Sequence, residues 1–149
     1  MARATVTDRP VPVADDHSAG YWAAAADHVL ALARCSNCQR FSVPPDVVCS
    51  FCQCADPRFS FVAVSGGGVV RSWTVLHDSF LPGFGDDLPF VLVDVELDEQ
   101  EDLRLIGRLL DGPEARVRLG DRVSVAFEDL AEGVSVPAFT LVKPGGARP

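Results

Sequence analysis

All five cysteines of this 149-residue chain lie between Cys35 and Cys54. Four of them form two CxxC knuckles, Cys35-Ser36-Asn37-Cys38 and Cys49-Ser50-Phe51-Cys52, separated by ten residues. A two-residue gap lets both thiolates of a knuckle turn toward one point, while backbone N–H groups in the turn donate to the sulfurs. Together the knuckles offer four soft ligands for a tetrahedral site with Zn–S bonds of about 2.3 Å. Four thiolates fill the coordination shell and leave no position for water, so the one Zn2+ ion they predict is structural. A rubredoxin-type iron or an iron–sulfur site would use the same donors. The clustering argues against a disulfide framework, which in a secreted fold would be spread through the chain. Cys54 is the leftover thiol, either a spare surface residue or a register alternative to Cys52.

Other reactive constellations are not evident. The three histidines, His17, His28 and His77, fall in a cap region, at a helix end and at a strand end, and read as ordinary surface or half-buried residues. The paired carboxylates Asp86-Asp87 and Asp98-Glu99 lie in turn segments and read as solvated. No pair of titratable groups is set apart by its surroundings as acid and base, and no catalytic residue is expected.

The elements that must position the cysteines follow from composition and pattern. Apolar residues make up 48% and charged residues 23%, as in ordinary globular domains. Residues 1–14 lack periodicity and read as a flexible arm. Polar caps at Asp15–Ser18 precede the helix-forming run AGYWAAAADHV, in which Trp22, Ala25, Ala26 and Val29 have the spacing of a packing face. Short apolar stretches and paired cysteines continue to residue 58, giving a helix-plus-ribbon unit over 15–58. Strand-like segments follow at 59–64, 69–77, 90–97, 103–110, 122–128 and 138–142, separated by Gly- and Pro-containing turns. Val91, Val93, Val95 and Leu97 alternate with Asp94 and Glu96, and Val123, Val125 and Phe127 with Arg122 and Ser124, as in antiparallel strands wet on one face. A partly or fully closed barrel over 59–143 would remove the exposed edges; residues 144–149 read as a flexible tail. The fold expected is mainly β: an N-terminal helix, a zinc ribbon, then a five- to six-stranded OB-fold barrel.

Charge bears on partners. Thirteen Lys and Arg against 21 Asp and Glu give a net charge of −8. The β region from 60 to 142 contains no lysine and a scatter of arginines among many carboxylates, so the positive groove that single-stranded nucleic acid requires is not expected. Trp73, Phe59 and Phe61 read as core rather than stacking platforms. No apolar run approaches the roughly 20 residues of a membrane span, and the N-terminal stretch lacks the apolar centre of a secretory signal; a cytoplasmic protein is expected.

Tyr21-Trp22, Ala33-Arg34-Cys35-Ser36-Asn37-Cys38, Pro44-Pro45, Cys49-Ser50-Phe51-Cys52, Ser65-Gly66-Gly67-Gly68-Val69-Val70, Trp73-Thr74-Val75 and Leu119-Gly120 occur in that order. This succession resembles the DUF35 family, in which a rubredoxin-like zinc ribbon is joined to an OB-fold. Asp46 and Gln39 depart from the family pattern, which has Arg after the Pro-Pro pair and Gly at the close of the first knuckle. The resemblance implies a non-catalytic accessory subunit beside a thiolase-superfamily enzyme, an aldolase or acyltransferase of steroid side-chain or lipid breakdown. It also implies a hetero-oligomer, with two copies of each chain as one arrangement, and acyl-CoA at the shared interface. In that setting Arg34, Arg40 and Arg71 are candidates for the CoA phosphates. Tyr21, Trp22, Phe80, Leu81 and Phe84 are candidates for the partner interface. The alternatives are a standalone CoA- or nucleotide-binding OB module and, behind it, a single-stranded nucleic-acid binder.

Overall fold

Alanine-rich sequence gives way to alternating Leu and Ala after His28, and regular structure changes at the same place. The computed structural model describes residues 8–144; residues 1–7 of the expected arm and 145–149 of the expected tail lie outside the described residues. The helix, α1, runs Ala19–Ala26. Ahead of it the Asp15 carboxylate accepts from the N–H groups of His17 and Ser18 (3.0 and 2.8 Å) and from the Ser18 hydroxyl (2.7 Å). These bonds, led by that from the Ser18 hydroxyl, hold the Asp15 carboxyl below its ordinary value. The helix ends because Asp27 caps it and His28 turns left-handed (φ 57°). Val29 therefore leaves the helix and is exposed, and of the expected face only Trp22, Ala25 and Ala26 are covered. Ala25 is buried, and Tyr21, outside that face, also packs on the core. Desolvation pushes the Tyr21 phenol up to about 12.

Three strands make a small antiparallel sheet in the order β2 (Phe41–Ser42), β1 (Ala31–Arg34), β3 (Ser60–Ala63). The segment at 59–64, expected to open the barrel, pairs with β1 from Ala31↔Ala63 to Arg34↔Ser60. Its place follows from β1, whose residues Ala31, Leu32 and Ala33 are all buried; such a strand needs a partner on each edge.

The barrel is closed, in the order β4 (Gly67–Leu76), β5 (Phe90–Leu97), β6 (Arg104–Leu109), β8 (Val134–Leu141), β7 (Arg122–Ala131). Its pairings are antiparallel except β6 with β8. The alternation read at 91–97 is realised: Val91, Val93, Val95 and Leu97 fill the interior with Val70, Leu109, Val123 and Phe139. Gly107 makes room for the largest of these, since a Cβ there would meet the Phe139 ring at 2.9 Å. Leu30 and Leu32 belong to the same core, so ribbon and barrel share one hydrophobic interior.

Outside the barrel, Arg71 pairs with Glu96, Arg104 with Asp94 and Arg122 with Asp98. The inner end of the expected arm is held against the barrel. Arg9, with a side chain 9% exposed, pairs with Asp87, donates to the Gly83 carbonyl (3.1 Å) and lies over the Phe84 ring. Asp87, read as solvated, is thus enclosed between Arg9 and Arg108.

Candidate metal centre

The first knuckle is the turn between β1 and β2. The Cys35 N–H donates to the Arg40 carbonyl (2.9 Å) and the Gln39 N–H to the Cys35 carbonyl (2.9 Å), which wraps the turn around Cys38. The second knuckle repeats this without flanking strands: Cys49 N–H to the Cys54 carbonyl (3.1 Å), Gln53 N–H to the Cys49 carbonyl (2.9 Å). Each turn closes through a left-handed glutamine, Gln39 (φ 65°) and Gln53 (φ 60°). Each glutamine amide donates back to a serine carbonyl, Ser36 (2.8 Å) and Ser50 (3.0 Å). The chain thus repeats Cys-Ser-x-Cys-Gln, and side-chain bonds offset the strain that a glycine would have avoided. Cys54 occupies the position of Arg40 in this repeat and serves through its carbonyl, so the fifth thiol stands outside the four-sulfur group.

The loop after β2 is folded back on the first knuckle by Ser36, whose N–H and hydroxyl both donate to the Pro57 carbonyl (2.8 and 2.7 Å). All four sulfurs, Cys35, Cys38, Cys49 and Cys52, then lie within 4.8 Å of one another. Cys35–Cys52 and Cys38–Cys49 are separated by 3.9 and 3.7 Å. A tetrahedron with Zn–S bonds of about 2.3 Å has edges of about 3.8 Å. These separations are far too long for the 2.03–2.05 Å of a disulfide, and all four cysteines are free thiols. Cys35 and Cys49 are fully buried.

The electrostatics also call for a cation. The Asn37 amide (3.4 Å) and the Cys54 N–H donate to Cys52, and hold its thiol down to about 6. Cys49 is lowered by the N–H groups of Cys52 and Phe51. Cys38 receives the Arg40 N–H, yet desolvation and three neighbouring sulfurs push it up to about 11. Hydrogen-bond donors thus favour the thiolate at Cys49 and Cys52, while burial and the neighbouring sulfurs oppose it at Cys38, which a cation at the centre would relieve. The residues fit one structural Zn2+ with a full shell of sulfur, which supplies cross-linking rather than a reactive water.

The remaining sequence candidates are dispersed. Arg34 adjoins Cys35, but its Nε is buried without a hydrogen-bond partner. Arg40 stacks over the Phe51 ring (4.1 Å) and is exposed. Arg71 lies on the barrel, paired with Glu96. Tyr21 and Trp22 meet edge to face (4.8 Å) and border an apolar groove of about 250 Å3 with Leu32, Val43, Pro45 and Phe61. Phe80 and Leu81 are exposed, whereas Phe84 turns inward onto Phe90 and Arg9. Trp73, read as core, is 42% exposed. His28 is held by Asp129 (2.6 Å) and stacks on Phe127.

Sequence reasoning missed Asn37 as a sulfur donor and Gln100 as a fastener. The Gln100 amide accepts from the Phe41 N–H (2.8 Å) and donates to the Phe41 carbonyl (3.1 Å), so a barrel turn supplies the missing edge of β2. The place of Asn37 between the two cysteines of the first knuckle was the available signal for the first. An amide in an acidic turn gave none for the second.

Two family profiles match the chain: the ChsH2 rubredoxin-like zinc ribbon domain over residues 22–56 and the ChsH2 C-terminal OB-fold domain over residues 61–128. A Thermomonospora curvata protein named "Probable enoyl-CoA hydratase alpha subunit" is 28% identical over 136 residues, 91% of this chain. This chain spans 41% of that relative's length. Among solved structures, a chain of the Ltp2-ChsH2(DUF35) aldolase superposes with a TM-score of 0.75 at 27% identity, over 87% of this chain and 98% of that one. A DUF35 protein of unknown function from Sulfolobus solfataricus shares the fold, with a TM-score of 0.52 at 14% identity over 82% of each chain. No helix among the described residues is long and apolar enough to cross a membrane. With four sulfurs gathered at one point, a closed five-stranded barrel beside them and both profiles in matching order, the chain belongs to the DUF35 family and combines a ChsH2-type zinc ribbon with an OB-fold.

Proposed function

We propose that this chain is a non-catalytic accessory subunit of a thiolase-superfamily enzyme, helping to form the channel through which that enzyme handles acyl-CoA. The observation that carries the reading is the correspondence over 98% of a chain from the Ltp2-ChsH2(DUF35) aldolase, an assembly of two named components. The chemistry of the chain supports it. Its sulfur cluster is filled by its own four ligands, and six of its arginines are paired with carboxylates, so a reacting thioester would find its nucleophile in the partner. The partner's reaction is then an aldol cleavage or an acyl transfer in steroid side-chain or lipid breakdown, in the cytoplasm. Two copies of each chain form the assembly.

Of the three arginines considered for CoA phosphates, Arg71 is neutralised by Glu96. Arg40 is exposed beside the ribbon with no carboxylate partner among the described residues, which makes it the best suited. The oligonucleotide-binding face of OB-folds lies on the strands equivalent to β5 and β6. Here that surface presents Arg71–Glu96 and Arg104–Asp94 pairs, and supplies no net positive track. Co-expression with each thiolase-superfamily protein of the host tests the proposal. A stoichiometric complex that turns over an acyl-CoA, beside an isolated chain that does not, is expected. A chain that remains free with every candidate, or that cleaves the thioester alone, would overturn it.

A further inference from the structure

The barrel is sealed along only part of β4. Gly67–Val69 pair with β7, and Val70 exchanges backbone bonds with the following turn (Val70 N–H to the Asp121 carbonyl, 2.9 Å; Gly120 N–H to the Val70 carbonyl, 2.8 Å). A bulge at Arg71 interrupts the register, and from Ser72 to Leu76 the strand pairs with β5 alone. Among the described residues no backbone group bonds to its other edge. Trp73 and Val75 stand opposite Val93 and Val91, on the face that is interior elsewhere in the barrel. Yet Val93 and Val91 are 0% and 2% exposed, while Trp73 and Val75 are 42% and 38% exposed.

The same hairpin arm runs on into the loop carrying Phe80, fully exposed, and Leu81, 57% exposed. That loop is anchored rather than loose. Arg9 binds the Gly83 carbonyl and covers Phe84, and Gly83 (φ 79°) leaves room for the Asp8–Arg9 backbone, which a Cβ would meet at 2.5 Å. Scaling full side-chain areas of about 150–250 Å2, the four residues expose roughly 450 Å2. That matches the largest apolar patch of a typical monomer, about 300–600 Å2 and often functional, and is about half of one side of a standard interface of roughly 800 Å2 per partner. Ser72–Leu76 also lacks the lysines and prolines that usually blunt an open edge.

We propose that this edge is the docking site of the partner subunit, which adds an extended apolar segment alongside Ser72–Leu76 and receives Phe80 in a pocket. The proposal rests on the accessory-subunit reading above and names the surface that reading needs. Main-chain bonds along the edge would supply affinity, and alternate side chains over Trp73 and Val75 would supply selectivity. The occupant is a different chain rather than a second copy. Each copy carries a charge of −8, and the exposed Asp78 and Asp86 flank the edge, so two copies placed edge to edge would oppose like charges. A segment with basic residues beside its apolar run is complementary.

The test uses the complex recovered by co-expression. Hydrogen–deuterium exchange should show amides within residues 72–76 slowed about tenfold or more on complex formation. Trp73→Glu and Phe80→Ala should each weaken the complex about 10- to 100-fold, as truncation of central aromatic anchors does. Ile106→Glu, at an exposed position on the outer face of β6, should leave affinity unchanged. Circular dichroism and thermal melting establish that each variant is folded. A complex that forms while 72–76 exchanges as in the free chain, or that tolerates Trp73→Glu, overturns this proposal and leaves the accessory reading standing. Failure of any complex to form overturns both. Concentration-dependent self-association that protects the same amides assigns the edge to a second copy and refutes the choice of occupant.

Discussion

Removing the metal should unfold one part of this protein and spare the rest. Between Cys35 and Phe59 only Cys35, Ser42, Cys49 and Pro57 are buried. Fixing a residue's backbone costs about 1–2 kcal/mol, and this stretch has almost no apolar interior to oppose that cost. Structural zinc contributes about 10–16 kcal/mol of apparent free energy in small zinc modules, enough to decide whether such a segment is ordered. Cys49→Ser takes away a fully buried ligand. The three remaining sulfurs should lose the ion, and residues 43–59 should exchange their amides as an unfolded chain does. β1 should persist, because Leu30 and Leu32 lie in the barrel core and are 2% and 1% exposed. The main thermal transition should therefore move by no more than about 4–8 °C, the shift expected for ~1 kcal/mol in a domain of this size. Elemental analysis, limited proteolysis and calorimetry on wild type, Cys49→Ser and Cys54→Ser measure this directly, and Cys54→Ser should keep a full equivalent of zinc. A zinc-free variant whose ribbon resists protease like wild type, or whose barrel melts along with the ribbon, would refute the division.

Gln100→Ala deletes both bonds to Phe41 and should lower stability by about 1–3 kcal/mol in urea unfolding. Its faster amide exchange should be concentrated at β2 rather than in the barrel. Phe139→Ala empties the largest fully buried side chain, at 0% exposure, and should cost about 3–5 kcal/mol by the same assay. The Arg122 guanidinium holds the Asp98 carboxyl below its ordinary 3.8. A depressed folded value adds stability that is present above the unfolded value and is lost as pH falls through the folded one. Arg122→Gln should thus lower stability at neutral pH and flatten its acid dependence below about pH 4, read from urea midpoints across pH.

The barrel was legible because its strands are amphipathic. Val91 to Leu97 alternate, and period-two alternation leaves one choice of inner face. The metal centre was legible for a different reason, since CxxC spacing is a local constraint that needs no tertiary information. What escaped the sequence depends on contacts between distant segments. Val29 has helical spacing from Trp22, but the left-handed His28 takes it off the helix. Ser60–Ala63 reads as a strand without revealing which sheet it joins, because the choice depends on β1 needing a second partner. Trp73 has the composition of a core residue. Only the end of the β7 pairing and the bulge at Arg71 reveal that it stands beside an edge left unpaired among the described residues. Arg9 sits in a stretch without periodicity, and its enclosure by Asp87, Gly83 and Phe84 involves a loop about 75 residues away.

Ribbon and docking edge respond to different perturbations, and this separates what zinc does from what the barrel does. The ion lies at the turn end of β1, a strand whose other end enters the barrel interior at Leu30 and Leu32. The Val64 N–H to the Leu30 carbonyl (2.9 Å) and the Gln100 clamp fix the same junction from outside. The ordered ribbon therefore keeps one orientation on the barrel, and Arg40 on Phe51 keeps one place relative to β4. Loss of zinc removes that placement without touching Ser72–Leu76, whose pairing with β5 is internal to the barrel. A zinc-free Cys49→Ser chain should consequently still bind its partner within about threefold of wild type, by additivity of distant sites, while the complex loses affinity for acyl-CoA. Titration calorimetry for the partner and the KM for the thioester read the two effects apart. Partner affinity falling in step with acyl-CoA affinity would mean that the ribbon itself is the interface, and the roles assigned to edge and ribbon would have to be exchanged.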